Sequence, residues 1–159
     1  MADPPPGSVA VKARERPQSV LFACTLNAVR SPMAEAIARH YFGRGIRFAS
    51  AGLKRGEPNG FATAAMAEIG MDISRHRPRT FEELEDANYD LIVTLSPEAH
   101  HKAMELTRTM AVDVEYWPTF DPTLTTGSRE TLLDAYRGVR DALDGRIRQR
   151  FPRGRTFGG

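Results

Sequence analysis

Cysteine is nearly absent: the chain has 159 residues and a single thiol, Cys24. One thiol excludes an internal disulfide and any metal site built from cysteines, and it fits a reducing compartment. No apolar run approaches the roughly 20 residues that a membrane-spanning helix needs, and the N-terminus has no apolar stretch of signal-peptide type. An excess of charge is missing too. The 22 basic and 20 acidic side chains leave a net charge of +2, so no strong affinity for polyanions follows and neither nucleic acid nor a membrane is expected as a partner. These absences make a cytoplasmic protein the expectation. What is present is an ordinary globular balance, 41% hydrophobic and 26% charged, at a length suited to one domain with a substantial core.

Residues 1–18 read as a flexible Pro-rich tail, because Pro4-Pro5-Pro6-Gly7 can form neither helix nor central strand. A folded domain is expected over 19–150, and 151–159 read as a basic tail. Apolar runs predict strands at Ser19–Ala23, Ile46–Ala49, Tyr89–Leu95 and Val112–Trp117. Helical spacing predicts helices at Pro32–Phe42, from Phe61 to Gly70, after Ser96 and from Ser128 to Arg150, with a short one running from a Thr80 cap to Asp86. Met33, Ile37 and Tyr41 share one helix face and are expected in the core. Strands alternate with helices, so the expected fold is α/β: a three-layer sandwich with a four-stranded parallel sheet and helices on both faces. Ligands of such folds bind beyond the carboxyl ends of the strands. Cys24, Ser50, Ser96 and Asp121 each follow a strand and would share that edge. His100 and His101 are adjacent on a helix, point in different directions and make a poor metal pair; no metal or cofactor is expected.

The informative stretch runs from Val20 to Glu35. Val20–Ala23 is a buried-strand pattern, Ser31 is a candidate N-cap and Pro32 suits a first helical position. The loop from Cys24 to Arg30 thus joins a strand end to a helix start, where backbone N–H groups and the helix dipole favour an oxyanion. A lone cysteine behind a strand is by itself a small buried hydrophobe. In this setting the helix start and a nearby arginine favour its thiolate. Arg30 offers a two-pronged cationic fork for a tetrahedral anion, Ser31 a hydroxyl for the sulfur, and Asn27 a residue type that tolerates left-handed backbone. Asp121-Pro122 is by itself a common way to begin a turn, but it also places a carboxylate at the same sheet edge.

Cys24-Thr-Leu-Asn-Ala-Val-Arg30-Ser-Pro-Met-Ala-Glu35 resembles the signature loop of the low-molecular-weight protein tyrosine phosphatases, a superfamily shared with the thioredoxin-coupled arsenate reductases. The family pattern, roughly C-x-G-N-x-C-R-S-P-x-A-E, is matched at Cys24, Asn27, Arg30, Ser31, Pro32, Ala34 and Glu35. Leu26 stands where the family has glycine and Val29 where it has a second cysteine. The resemblance implies a phosphatase acting through a phosphocysteine on Cys24. Asp121 would be its general acid and base, and Arg30 with the loop Thr25, Leu26, Asn27, Ala28, Val29 and Ser31 would bind phosphate. Phe48-Ala-Ser50-Ala-Gly52 and His76-Arg-Pro-Arg79 resemble two further family segments, which imply that Ser50 and His76 orient Asn27. The implied substrate is a phosphotyrosine protein or a small phosphomonoester, with inorganic phosphate as product. Pro122-Thr-Leu124 and Leu53-Lys-Arg55 stand where many members carry aromatic residues, so the mouth is expected to be less aromatic and more basic. The alternative is an anion-binding or regulatory module on the same fold. Arsenate reduction in its usual form requires two more cysteines than the chain has.

Overall fold

The computed structural model describes residues 16–84 and 88–152. The sheet contains β1 (Ser19–Cys24), β2 (Arg47–Gly52), β3 (Leu91–Thr94) and β4 (Asp113–Tyr116), in the order β2-β1-β3-β4. All three pairings are parallel, with Val20 opposite Phe48 on one side and Leu91 on the other. β1 is central and buried along its whole length, which is why it reads as a continuous apolar run.

The side-chain alternation of a strand divides this core in two. Val20 and Phe22 face a layer built by α1 (Arg30–Phe42), α2 (Gly60–Ala67) and α4 (Arg129–Arg150), through residues such as Met33, Ile37, Met66, Leu143 and Ile147. Leu21 and Ala23 face the other way, toward Ala99 and Ala103 of α3 (Pro97–Leu106) and Phe81 of a short 3-10 turn, Phe81–Leu84. The protein is therefore an α/β three-layer sandwich over a four-stranded parallel sheet, as the alternation of elements predicts.

Some local expectations require correction. β2 continues through Ser50 and Ala51 to Gly52, so these residues belong to the strand and do not turn away from its end. Tyr41, expected in the core with Met33 and Ile37, is 42% exposed. Ser31 is not a helix cap, since α1 begins at Arg30 behind Val29 without a side-chain cap. Ser96 and Ser128 do cap α3 and α4, accepting hydrogen bonds from the amides of Ala99 and Thr131, and Asn59 caps α2 in the same way. The expected short helix after Thr80 is the 3-10 turn; Glu83 reaches back to accept from the Thr80 amide, and its expected end at Asp86 lies outside the described residues. Gln18, counted with the tail, is held to the sheet by the Arg47 amide and by Asp90; the rest of that tail through residue 15 lies outside the described residues. Phe151 is buried against Phe48 and belongs to the core, not to the basic tail.

Candidate active site

The loop between β1 and α1 lies at the carboxyl edge of the central strand. Its shape rests on Asn27, the only non-glycine residue with positive φ among the described residues, at 53°. Leu26 has no such requirement, which is why a leucine fits where the family pattern has glycine. The loop carbonyls are taken by groups outside it. Thr25 O accepts from the amides of Leu53 and Lys54, Leu26 O from Gly56 and Asn27 O from the His76 ring. Among the described residues no protein acceptor takes the loop amides of Thr25 to Val29. Those amides, with the first turn of α1, form a donor set suited to an oxyanion.

Cys24 and Ser31 approach through their side chains, Sγ to Oγ 2.9 Å. The Asn27 amide donates to that same oxygen at 2.8 Å, so the hydroxyl hydrogen is free to point at sulfur. A thiolate is the better acceptor for it. The side chain of Asn27 is fixed in turn: its Oδ1 accepts from the Arg79 amide at 2.9 Å and from His76 Nε2 at 3.1 Å. His76 Nε2 faces two acceptors, Asn27 O and Oδ1, and therefore carries a hydrogen. Burial holds the His76 pKa below its ordinary value, against an opposing pull from Glu35 and a hydrogen bond to Asn27. The ring is thus neutral at neutral pH, in the tautomer protonated at Nε2.

Arg30 is 9% exposed. Its Nη1 donates to the Thr119 carbonyl at 3.1 Å and more weakly to Leu95 O at 3.5 Å. Its Nη2 lies 3.8 Å from Asp121 Oδ2. The end of β1 and the start of α1 therefore carry nucleophile and cation, Leu95 just after β3 contributes a carbonyl that holds the cation, and the segment after β4 brings the carboxylate beside it. Thr25 ties the loop to the start of α3 by donating to Ser96 Oγ at 3.0 Å.

Residues 19–151 match the family described as low molecular weight phosphotyrosine protein phosphatase. The chain belongs to that family. It is 33% identical over 130 residues to an arsenate reductase of Bacillus subtilis (strain 168), covering 82% of this chain and 92% of the relative. The low molecular weight protein tyrosine phosphatase from T. tengcongensis is similar in structure, with TM-score 0.67 and 26% identity over 83% of this chain and 96% of that one. An arsenate reductase in a phosphate-binding state gives TM-score 0.65 and 27% identity over 83% and 95%. Relatives of both names thus share the phosphatase-family fold.

One supporting role implied by the family resemblance changes. Ser50 does not bond Asn27; its hydroxyl donates to Glu35 Oε1 at 2.5 Å. Glu35 is a buried carboxylate that also pairs with Arg39 at 3.1 Å, and it draws the serine away from the loop. Ser50 still contributes through its backbone, whose carbonyl accepts from Arg79 Nε at 3.1 Å. Glu35 had a signal in the sequence, its place in the signature. The Thr119 carbonyl that holds Arg30 had none, since any residue supplies a carbonyl.

Proposed function

We propose that the protein is a phosphomonoester hydrolase that works through a phosphocysteine on Cys24, with Asp121 as general acid and then general base. The observation that carries the reading is the convergence of a hydroxyl-bonded thiol, a fixed guanidinium and a carboxylate 3.8 Å from that guanidinium. The thiolate attacks phosphorus in line with the leaving oxygen, and Asp121 gives that oxygen its proton. Arg30 and the loop amides bind the three equatorial oxygens, where charge accumulates in the transition state. Water, deprotonated by Asp121, then attacks phosphorus and displaces Cys24, whose thiolate again receives the Ser31 hydroxyl. Inorganic phosphate leaves. This sequence assigns Thr25, Leu26, Asn27, Ala28, Val29 and Ser31 to phosphate binding and His76 to holding Asn27.

Exposed apolar side chains favour an ester with an apolar body. Leu26 on the loop is 44% exposed, and Phe120 and Leu124, on either side of Asp121-Pro122-Thr123, are 59% and 72% exposed. Beside the site such side chains offer apolar contact to the body of a substrate. A phosphotyrosine protein in the cytoplasm, or a small aryl phosphate, suits this rim better than a bare oxyanion. The arsenate reductase names among the relatives supply the second reading. Reducing arsenate consumes two electrons, and Cys24 alone can give only half a disulfide, so that reading requires an external thiol.

The test is hydrolysis of p-nitrophenyl phosphate without added metal. Wild type turns over, Cys24→Ser abolishes turnover, and Asp121→Ala lowers kcat about 100-fold. Folded wild type that binds phosphate through Arg30 without turnover would establish the anion-binding module instead. Faster reduction of arsenate with dithiothreitol than hydrolysis of the ester would establish the reductase.

A further inference from the structure

We propose that Thr123 is a positioning residue that decides which oxygen of Asp121 carries the catalytic proton; the inference rests on the phosphatase reading above. Asp121 precedes the short 3-10 turn Pro122–Leu124. Its Oδ1 accepts two hydrogen bonds from one residue, from the Thr123 amide at 3.0 Å and from the Thr123 hydroxyl at 2.7 Å. Its Oδ2 lies on the other side, 3.8 Å from Arg30 Nη2. An oxygen that already accepts two hydrogen bonds is the less basic of the pair. Oδ1 is thus committed to Thr123, and Oδ2, on the side of the guanidinium that binds the phosphoryl group, is the oxygen free to exchange a proton with the substrate. In the first step Oδ2–H passes its proton to the leaving oxygen as the P–O bond breaks and the S–P bond forms. In the second, Oδ2 takes a proton from the attacking water as the S–P bond breaks. Carboxyl rotation between the steps is unnecessary.

Any residue but proline supplies the amide at this position; the Thr123 hydroxyl supplies the second donor. Thr123 is exposed and packs nothing in the core, so its hydroxyl can be removed without unfolding the protein. The loop on the other side of Asp121 is anchored separately, by Thr119 O to Arg30 Nη1. Arg30 is the charged side chain paired with Asp121 among the described residues. Loss of the hydroxyl thus acts on the carboxyl orientation and leaves the cation in place.

The experiment compares kcat/KM for p-nitrophenyl phosphate, whose leaving group needs little protonation, with phenyl phosphate, whose leaving group needs it fully. Wild type, Thr123→Val and Thr123→Ser are measured from acid to alkaline pH. Thr123→Val raises the preference for the p-nitrophenyl ester about ten-fold, the scale of one lost hydrogen bond to a charged group. It also moves the alkaline limb of kcat/KM to higher pH, because the ionised carboxylate loses a donor. Thr123→Ser restores both. In an Asp121→Ala background Thr123→Val changes the preference no further. An equal fall for both esters, an unmoved pH limb, or a serine variant that behaves like valine would overturn the role of Thr123 while leaving the phosphatase reading intact. Failure of wild type to hydrolyse either ester overturns that reading and this inference with it.

Discussion

Asn27 is the residue through which the sulfur, the loop backbone and the neighbouring segment are joined. Its positive φ was legible from residue type, whereas its bond to Ser31, in the first turn of α1, was not. Its partner His76 was legible only through the family pattern, because 49 residues separate the two, and the Arg79 amide, 52 residues away, carried no signal of its own. Ser50 shows where residue-level reading stops. The family resemblance implied that Ser50 orients Asn27, and the competing acceptor Glu35 takes the hydroxyl. His76 supports a pH prediction at this scale. Its pKa is depressed in the folded protein, mainly by burial. Its contribution to stability is therefore complete above the unfolded value of about 6.5 and declines as pH falls through that value toward the lower folded one. Thermal unfolding across this range will show wild type losing Tm on acidification, and His76→Gln will lose less. An identical slope in the two proteins would show that His76 does not titrate with folding.

The β1–loop–α1 element depends on close approach by the end of β2 and the segment that follows it. A Cβ at Gly52 would lie 2.8 Å from the Asn27 nitrogen and 2.9 Å from Leu26 C and Thr25 O, all backbone. Gly56 is equally crowded, with Leu26 Cβ at 2.8 Å. Backbone cannot swing aside as a flexible side chain can, so Gly52→Ala must displace the loop. The expected cost is about 1–3 kcal/mol in denaturant unfolding, with phosphate inhibition weakened along with activity. Unchanged phosphate affinity in this variant would show that the loop does not depend on Gly52. The strands and α4 were legible because periodicity reports burial. The start of α1 was misjudged because Ser-Pro imitates a cap and a first turn, whereas the Ser31 hydroxyl is committed to Asn27 and Cys24. Chemistry at the loop overrides the ordinary capping preference.

Across the whole molecule, the strand order and the two-sided core follow from alternation and burial, but the charge clusters that lock helices together do not show in sequence. Glu68, just beyond α2, receives Arg137 and Arg140 of α4, which are 69 and 72 residues away. Those hydrogen bonds lower the Glu68 pKa to about 2. Such a carboxylate stabilises the fold above its unfolded value of about 4.3, and the contribution is lost as pH falls toward the folded one. Wild type should therefore lose Tm between these values, and Glu68→Gln should show a shallower loss from a lower starting Tm at neutral pH. Equal Tm at neutral pH would place the cluster outside the forces that hold α2 to α4.

A covalent bond from Cys24 to phosphorus separates the proposed phosphatase from a module that only binds anions. Wild type, Asp121→Ala and Cys24→Ser are mixed with p-nitrophenyl phosphate, quenched rapidly in acid and weighed intact, and the modified peptide is sequenced. The phosphocysteine mechanism predicts one added phosphoryl group in wild type and in Asp121→Ala, located on Cys24, with no turnover-linked adduct in Cys24→Ser. Release of p-nitrophenol with the phosphoryl group on another residue, or with undiminished turnover in Cys24→Ser, would contradict it.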